Sequence, residues 1–218
     1  MIEPTHLFAL RHGQTAYNAT QRLQGHLDIG LDDTGRWQAR RLGAALADTG
    51  IVAVYSSDLL RARDTGAAVA AACGLPLSTH VELRERHFGV LEGLSYAEIE
   101  ERHPEDARRW REREPGFGPG GGESLIDFSA RCIAIFTRLA EAHRGQTIAI
   151  AAHGGVLDCL YRAANGIGLQ APRTWQLANA AVNRVLYTGE GFRVVGWDDR
   201  RHFDGADADS GAAEEIAA

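Results

Sequence analysis

The sequence predicts an α/β fold: a three-layer sandwich in which a mostly parallel central sheet carries helices on both faces and a helical and loop insertion covers the active-site end. Three observations predict it. Short apolar runs at His6 to Leu10, Ile51 to Ser57 and Thr147 to His153 each end at a polar turn, as buried parallel strands do. Helical patterns with one apolar face separate them. The chain has 218 residues, 44% apolar and 24% charged, the composition of one sizeable globular domain.

The elements follow in order. After the first strand, Asp32, Asp33 and Thr34 offer N-caps, and Ala39, Leu42 and Leu46 fall on one helix face. The second strand runs into a helix from about Asp58. Residues 84–122 break the rhythm with a charge-dense helical stretch, EIEERHPEDARRWRERE, and then PGFGPGGG. This insertion reads equally as a flexible lid or a plain solvated loop. A long helix starts near Ser124, where Phe128, Cys132, Ile135 and Leu139 recur at three- and four-residue steps. The third strand leads into a helix with Leu157, Leu160 and Ala164 inward. Arg184 to Tyr187 and Phe192 to Trp197, split by Thr188-Gly189-Glu190-Gly191, form a terminal hairpin. Residues 1–203 read as a single domain, and residues 204–218, small and acidic, as a frayed tail.

Charge and composition exclude several functions. Carboxylates outnumber basic residues 29 to 23, for a formal net charge of −6. Neither nucleic acid nor an anionic membrane is an expected partner. All 23 basic residues are Arg, which excludes a Lys Schiff base and a Gly-Lys-Ser/Thr phosphate loop. Cys73, Cys132 and Cys159 are odd in number and widely spaced, unlike a disulfide framework or a zinc site. The start, MIEPTHLFALRHG, has no basic head followed by a long apolar run, and no apolar stretch approaches the roughly 20 residues of a membrane span. The expectation is a cytoplasmic monomer or homodimer.

Ligands of open α/β sheets bind beyond the carboxyl ends of the strands. Arg11-His12-Gly13-Gln14-Thr15 follows the first strand, Ser56-Ser57-Asp58-Leu59-Leu60-Arg61 spans the end of the second, and His153-Gly154-Gly155 spans the end of the third. Two His and two Arg therefore reach one sheet edge from distant segments. Guanidiniums offer paired hydrogen bonds to a phosphoryl group, and an imidazole beside them can be nucleophile or acid/base. Gly13 and Gly154 leave room for a tight turn next to each His. His6, His26, His80, His103, His143 and His202 are scattered and read as surface or structural.

LRHGQTAYN, at Leu10 to Asn18, resembles the Arg-His-Gly signature of the histidine phosphatase superfamily, which includes the cofactor-dependent phosphoglycerate mutases. Leu23-Gln24-Gly25 with Asp28 and Leu31, SSDLLRARDT at Ser56 to Thr65, LRERHFGVLEG at Leu83 to Gly93, and AAHG at Ala151 to Gly154 resemble its further motifs in the same order. The resemblance spans roughly residues 6–200. It implies that His12 is a nucleophile forming a phosphohistidine, with Arg11, Arg61 and His153 on the phosphoryl oxygens. Glu85 would be the general acid and then the base that activates water, with a pKa raised by burial and the nearby dianion. Asn18, Gln24, Gly25 and Gly154 would border the phosphate. His153, if protonated, would help neutralise the transition state. No metal or other cofactor is implied, and the partner is a small phosphomonoester.

Within the family, mutases carry a Lys after the acid motif, an Arg-Arg pair in the insertion and an Asn after the second His-Gly. Here those positions correspond to Tyr96, to Arg111-Glu112 with Arg108, Arg109 and Arg113 near, and to Gly155. The weaker basic cage favours a phosphatase, with Gly155 leaving space beside the pocket. A 2,3-bisphosphoglycerate-dependent phosphoglycerate mutase is the alternative, and a non-catalytic phosphate-binding module a distant one.

Overall fold

The computed structural model describes residues 3–204. It contains strands β1 (Thr5–Arg11), β2 (Ile51–Ser57), β3 (Leu77–His80), β4 (Thr147–Ala152), β5 (Val182–Tyr187) and β6 (Phe192–Asp199). The helices are α1 (Ala16–Ala19), α2 (Asp33–Leu46), α3 (Leu60–Cys73), α4 (Tyr96–Arg102), α5 (Pro104–Arg111), α6 (Leu125–Ala142) and α7 (Gly154–Asn165). One six-stranded sheet has the order β3-β2-β4-β1-β5-β6. β1, β2, β3 and β4 run parallel, and the β5–β6 hairpin adds antiparallel to β1. The expected three-layer fold is therefore present.

Strand periodicity divides the core. Leu7 and Ala9 of β1 and Ile148, Ile150 and Ala152 of β4 pack with Phe128, Cys132, Ile135 and Leu139 of α6 and Leu157 and Leu160 of α7. Leu10 of β1 and Ala149 and Ala151 of β4 point the other way, onto Leu42, Leu46 and Val69 of α2 and α3. Alternate residues of a buried parallel strand face opposite helix layers, which is why these strands read as unbroken apolar runs. Asp32 caps α2 by accepting from Gly35 N at 2.7 Å, and Ser124 caps α6 through Asp127 N at 3.1 Å.

Two elements differ from expectation. β3 is a four-residue edge strand, LSTH, with every side chain at least partly exposed, too short and polar to show a period. The charged stretch is two helices rather than one, because Pro104 lacks the N–H that would continue α4 and instead occupies the first turn of α5. α4 and α5 fold over a small core of Leu23, Phe88, Leu91, Ile99 and Ala107. The Gly/Pro run is packed, not a loose loop: Phe117 is buried, and the buried Arg86 donates to Phe117 O and Glu123 O at 2.6 and 2.9 Å. No helix among the described residues is long and apolar enough to cross a membrane. Of the acidic tail, residues 205–218 lie outside the described residues.

Candidate active site

The central sheet order builds the site. β1 and β4 are parallel neighbours with Arg11 in register with Ala152, so the residues that follow, His12 and His153, leave the sheet side by side. Their ring centroids are 5.2 Å apart. β2 lies on the far side of β4, and α3 begins just beyond it, bringing Arg61 to the same edge. One pocket opens there, lined by Arg11, His12, Asn18, Gln24, Gly25, Arg61, Glu85 and Gly154, among others. His153 stands behind His12, fully buried.

His12 is 3% exposed and its Nδ1 lies 2.7 Å from Gly13 O. A carbonyl only accepts, so Nδ1 carries the proton and Nε2 keeps its lone pair. Burial and then the Arg61 and Arg11 guanidiniums hold the His12 pKa well below 6.5, against the opposing Gly13 hydrogen bond. Its ring is therefore neutral at pH 7. His153 is also held well below 6.5, by burial, Arg61, His12 and Arg11. The expected neutralising role of His153 was conditional on its protonation, which this burial and the neighbouring cations oppose. Neither of its ring nitrogens has a hydrogen-bond partner among the described residues.

Both guanidiniums are fixed by backbone carbonyls. Arg11 donates to Leu177 O. Arg61 donates to Leu27 O and Gly25 O, each at 2.8 Å, and burial pushes its pKa down to about 10, still cationic at pH 7. Thr65 O–H donates to Arg61 O and Thr65 Oγ1 accepts from Gly13 N, so α3 is tied to the turn after β1. Asn18 Oδ1 accepts from Thr15 N, 3.1 Å away, within the α1 capping box. Gln24 Oε1 accepts from Thr15 O–H at 3.0 Å. Both residues line the pocket, and with their oxygens engaged the amide N–H groups are what these side chains have left to donate. Gly13 turns out to serve packing: a Cβ there would sit 2.5 Å from Gly35 O at the start of α2.

Glu85 is gripped from several sides. Its Oε1 accepts from Arg86 N at 2.8 Å and its Oε2 from Gly155 N at 2.9 Å. Its backbone carbonyl accepts from His26 Nε2 at 2.9 Å and Arg131 Nη2 at 3.4 Å. His26, expected to be surface or structural, thus braces the acid loop, with its ring 4.9 Å from that of His87. The space expected beside Gly155 is taken by Glu85, since a Cβ at 155 would lie 2.3 Å from Glu85 Oε1 and 3.1 Å from Phe128. Gly155→Ala must therefore displace the carboxylate. The expected result is a loss of roughly 10²-fold in kcat, the scale of a misplacement near 1 Å, with an unchanged circular dichroism spectrum. Full activity in that variant would show that Glu85 tolerates relocation.

The outer wall differs from expectation. Arg108 pairs with Glu105 and Glu112, Arg109 with Glu114, and Arg111 with Glu100, all away from the pocket. Of the arginines in the charged stretch from Glu98 to Glu114, Arg113 is the one that reaches it. Its backbone is left-handed, φ 51°, and its guanidinium donates to Leu169 O and to Asp158 Oδ2, at 2.7 and 2.9 Å. Arg22, Arg86 and Arg173 also line the pocket. Tyr96 and Trp110 stack 5.5 Å apart at its rim. None of these but Tyr96 and Arg113 stood out beforehand, because they lie in no strand-end motif.

The sequence pattern of the histidine phosphatase superfamily (branch 1) matches residues 7–200. The chain is 37% identical over 207 residues to phosphoglycerate mutase-like protein 4 of Arabidopsis thaliana, covering 93% of this chain and 89% of that one. It is 35% identical over 203 residues to the metal-independent phosphoserine phosphatase of the same plant, covering 92% and 84%. A mycobacterial glucosyl-3-phosphoglycerate phosphatase solved with VO3 superposes with a TM-score of 0.80 at 30% identity, covering 89% and 99%. Strand-end histidines, clamped arginines and these likenesses converge on one conclusion: the chain belongs to the histidine phosphatase superfamily.

Proposed function

We propose that the protein is a metal-independent phosphomonoesterase that hydrolyses a small phosphorylated metabolite through a phosphohistidine on His12. One observation carries the reading: His12 is neutral, its proton stays on Nδ1, which donates to Gly13 O, and its Nε2 is available in a pocket walled by Arg11 and Arg61. Relatives named as a phosphoserine phosphatase and a glucosyl-3-phosphoglycerate phosphatase support it. Residues 1–203 act in this reading as one catalytic domain.

The chemistry has two steps. Nε2 of His12 attacks phosphorus and the ester P–O bond breaks, while a proton from the Glu85 carboxyl goes to the leaving oxygen. The Glu85 carboxylate then takes a proton from water, whose oxygen attacks phosphorus and releases His12. Arg11 and Arg61 hold the equatorial oxygens throughout, supplying fixed positive charge where negative charge spreads. A neutral His153 contributes a hydrogen bond, and an arriving dianion raises its pKa. Asn18 and Gln24 donate amide N–H bonds at the rim.

Mutase activity is the second reading, favoured by the relative named phosphoglycerate mutase-like. Against it, Arg111 pairs with Glu100 and Glu85 fills the space at Gly155. The test is a phosphomonoester panel with and without 2,3-bisphosphoglycerate, run in excess chelator. Phosphate release independent of both additions is expected. Isomer exchange that requires the bisphosphate would establish the mutase instead, and abolition by chelator would refute the guanidinium clamp.

A further inference from the structure

Six arginines but only two carboxylates line the pocket, in a chain of net charge −6. Arg11 and Arg61 serve the phosphoryl group, and Arg86 is consumed by the carbonyls of Phe117 and Glu123. Arg22 pairs with Glu98 at 2.7 Å, and Arg113 with Asp158 at 2.9 Å. Arg173 alone differs: no hydrogen bond or ion pair forms to it among the described residues. A phosphate dianion bound by Arg11 and Arg61 leaves this guanidinium uncompensated.

The loop that carries Arg173, between α7 and β5, is held on both sides. Trp175 stacks on Tyr161 with centroids 4.2 Å apart, and the Arg162 guanidinium lies 4.8 Å from its ring. Pro172 fixes φ immediately before Arg173. Arg162 binds Gly168 O at 2.7 Å, and Arg113 binds Leu169 O at 2.7 Å. The backbone that carries Arg173 is anchored in this way before the ligand arrives, so only the side chain has to be ordered on binding.

We propose that Arg173 is a specificity-determining residue that grips a carboxylate on the substrate, so that the preferred substrate is a small phosphomonoester bearing a carboxylate. One planar fork with one unbalanced charge matches one planar carboxylate, with two parallel N–H···O bonds. The inference rests on the phosphatase reading above.

Matched esters test it: phosphoserine against phosphoethanolamine, and 3-phosphoglycerate against glycerol 3-phosphate, where each pair differs at the carboxylate. A charge-assisted hydrogen bond predicts that wild type prefers the carboxylate partner by about 10- to 100-fold in kcat/KM. Arg173→Gln brings both ratios close to one, and Arg173→Lys restores part of the preference. The readout is a ratio, which a general loss of folded protein does not move. Titration calorimetry of the His12→Ala protein with the same pairs reads the preference without turnover. Equal handling of each pair by wild type, or an unchanged ratio in Arg173→Gln, overturns the inference. Hydrolysis of p-nitrophenyl phosphate decides the underlying reading separately: its absence in wild type refutes the phosphatase, while the calorimetric ratio still decides the role of Arg173.

Discussion

Replacing His12 by Ala is expected to lower p-nitrophenyl phosphate turnover on the order of 10⁴-fold or more, while the protein stays folded. Loss of a covalent nucleophile leaves only binding and electrostatic stabilisation behind. The fold should persist because the removed ring makes one hydrogen bond, to the adjacent Gly13 O, and the strand it follows is held by β4 and β5 on either side. Circular dichroism and a thermal melt check the fold, and a stopped assay checks the rate. Wild-type activity in this variant would end the mechanism, whereas an inactive wild type that still binds phosphate would restore the binding-module reading. The same ring sets a pH dependence. Its folded pKa lies below 6.5, so the nucleophilic neutral form is retained as pH falls to about that value. The acid limb of kcat/KM assigned to His12 should therefore lie below pH 6.5, and a limb above it would contradict the burial that causes the shift.

Glu85→Gln is expected to slow alkyl phosphates by about 10²–10⁴-fold and p-nitrophenyl phosphate much less. An alkoxide is a poor leaving group and needs the proton in the transition state; a nitrophenolate leaves without it. Glutamine preserves the size of the side chain, and its carbonyl oxygen can still accept from Gly155 N, now 2.9 Å from Glu85 Oε2. Its amide NH2 cannot accept from Arg86 N as Glu85 Oε1 does, but that loss is common to both substrate types, so the difference between them isolates the proton. Equal losses for both substrate types would remove Glu85 from the acid role and leave it as a positioning group. Gly155→Ala perturbs the same carboxylate sterically, so its larger effect should also fall on the alkyl esters.

The sequence alone determined the fold class, strands β1, β2 and β4 with the β5–β6 hairpin, the helices of both layers and the strand-end residues that meet at one edge. That information is local: unbroken apolar runs mark β1, β2 and β4, a period of 3.6 marks α6 and α7, and the residues just after each parallel strand are carried to one edge. Arg11, His12, Arg61 and Gly154 were legible for that reason, whereas Glu85 was marked only by the resemblance of LRERHFGVLEG to a family motif. The tertiary structure decided what depends on unlike segments meeting. Burial first, and then Arg61, His12 and Arg11 around it, hold the His153 pKa well below 6.5, an environment that no linear spacing encodes. Gly155 is required because Glu85, from a segment 70 residues earlier, occupies its open side. Arg113 rather than Arg108, Arg109 or Arg111 reaches the pocket because Pro104 starts a new helix and a left-handed turn ends it. Arg173 reaches the pocket from a loop without periodicity, whose place is set by the packing of Trp175 against Tyr161 and Arg162 and by the bonds of Arg162 and Arg113 to its backbone carbonyls. Periodicity reports which way a side chain faces within its own element; the electrostatic and steric partners of that side chain come from elsewhere in the chain and exist only once the layers have closed.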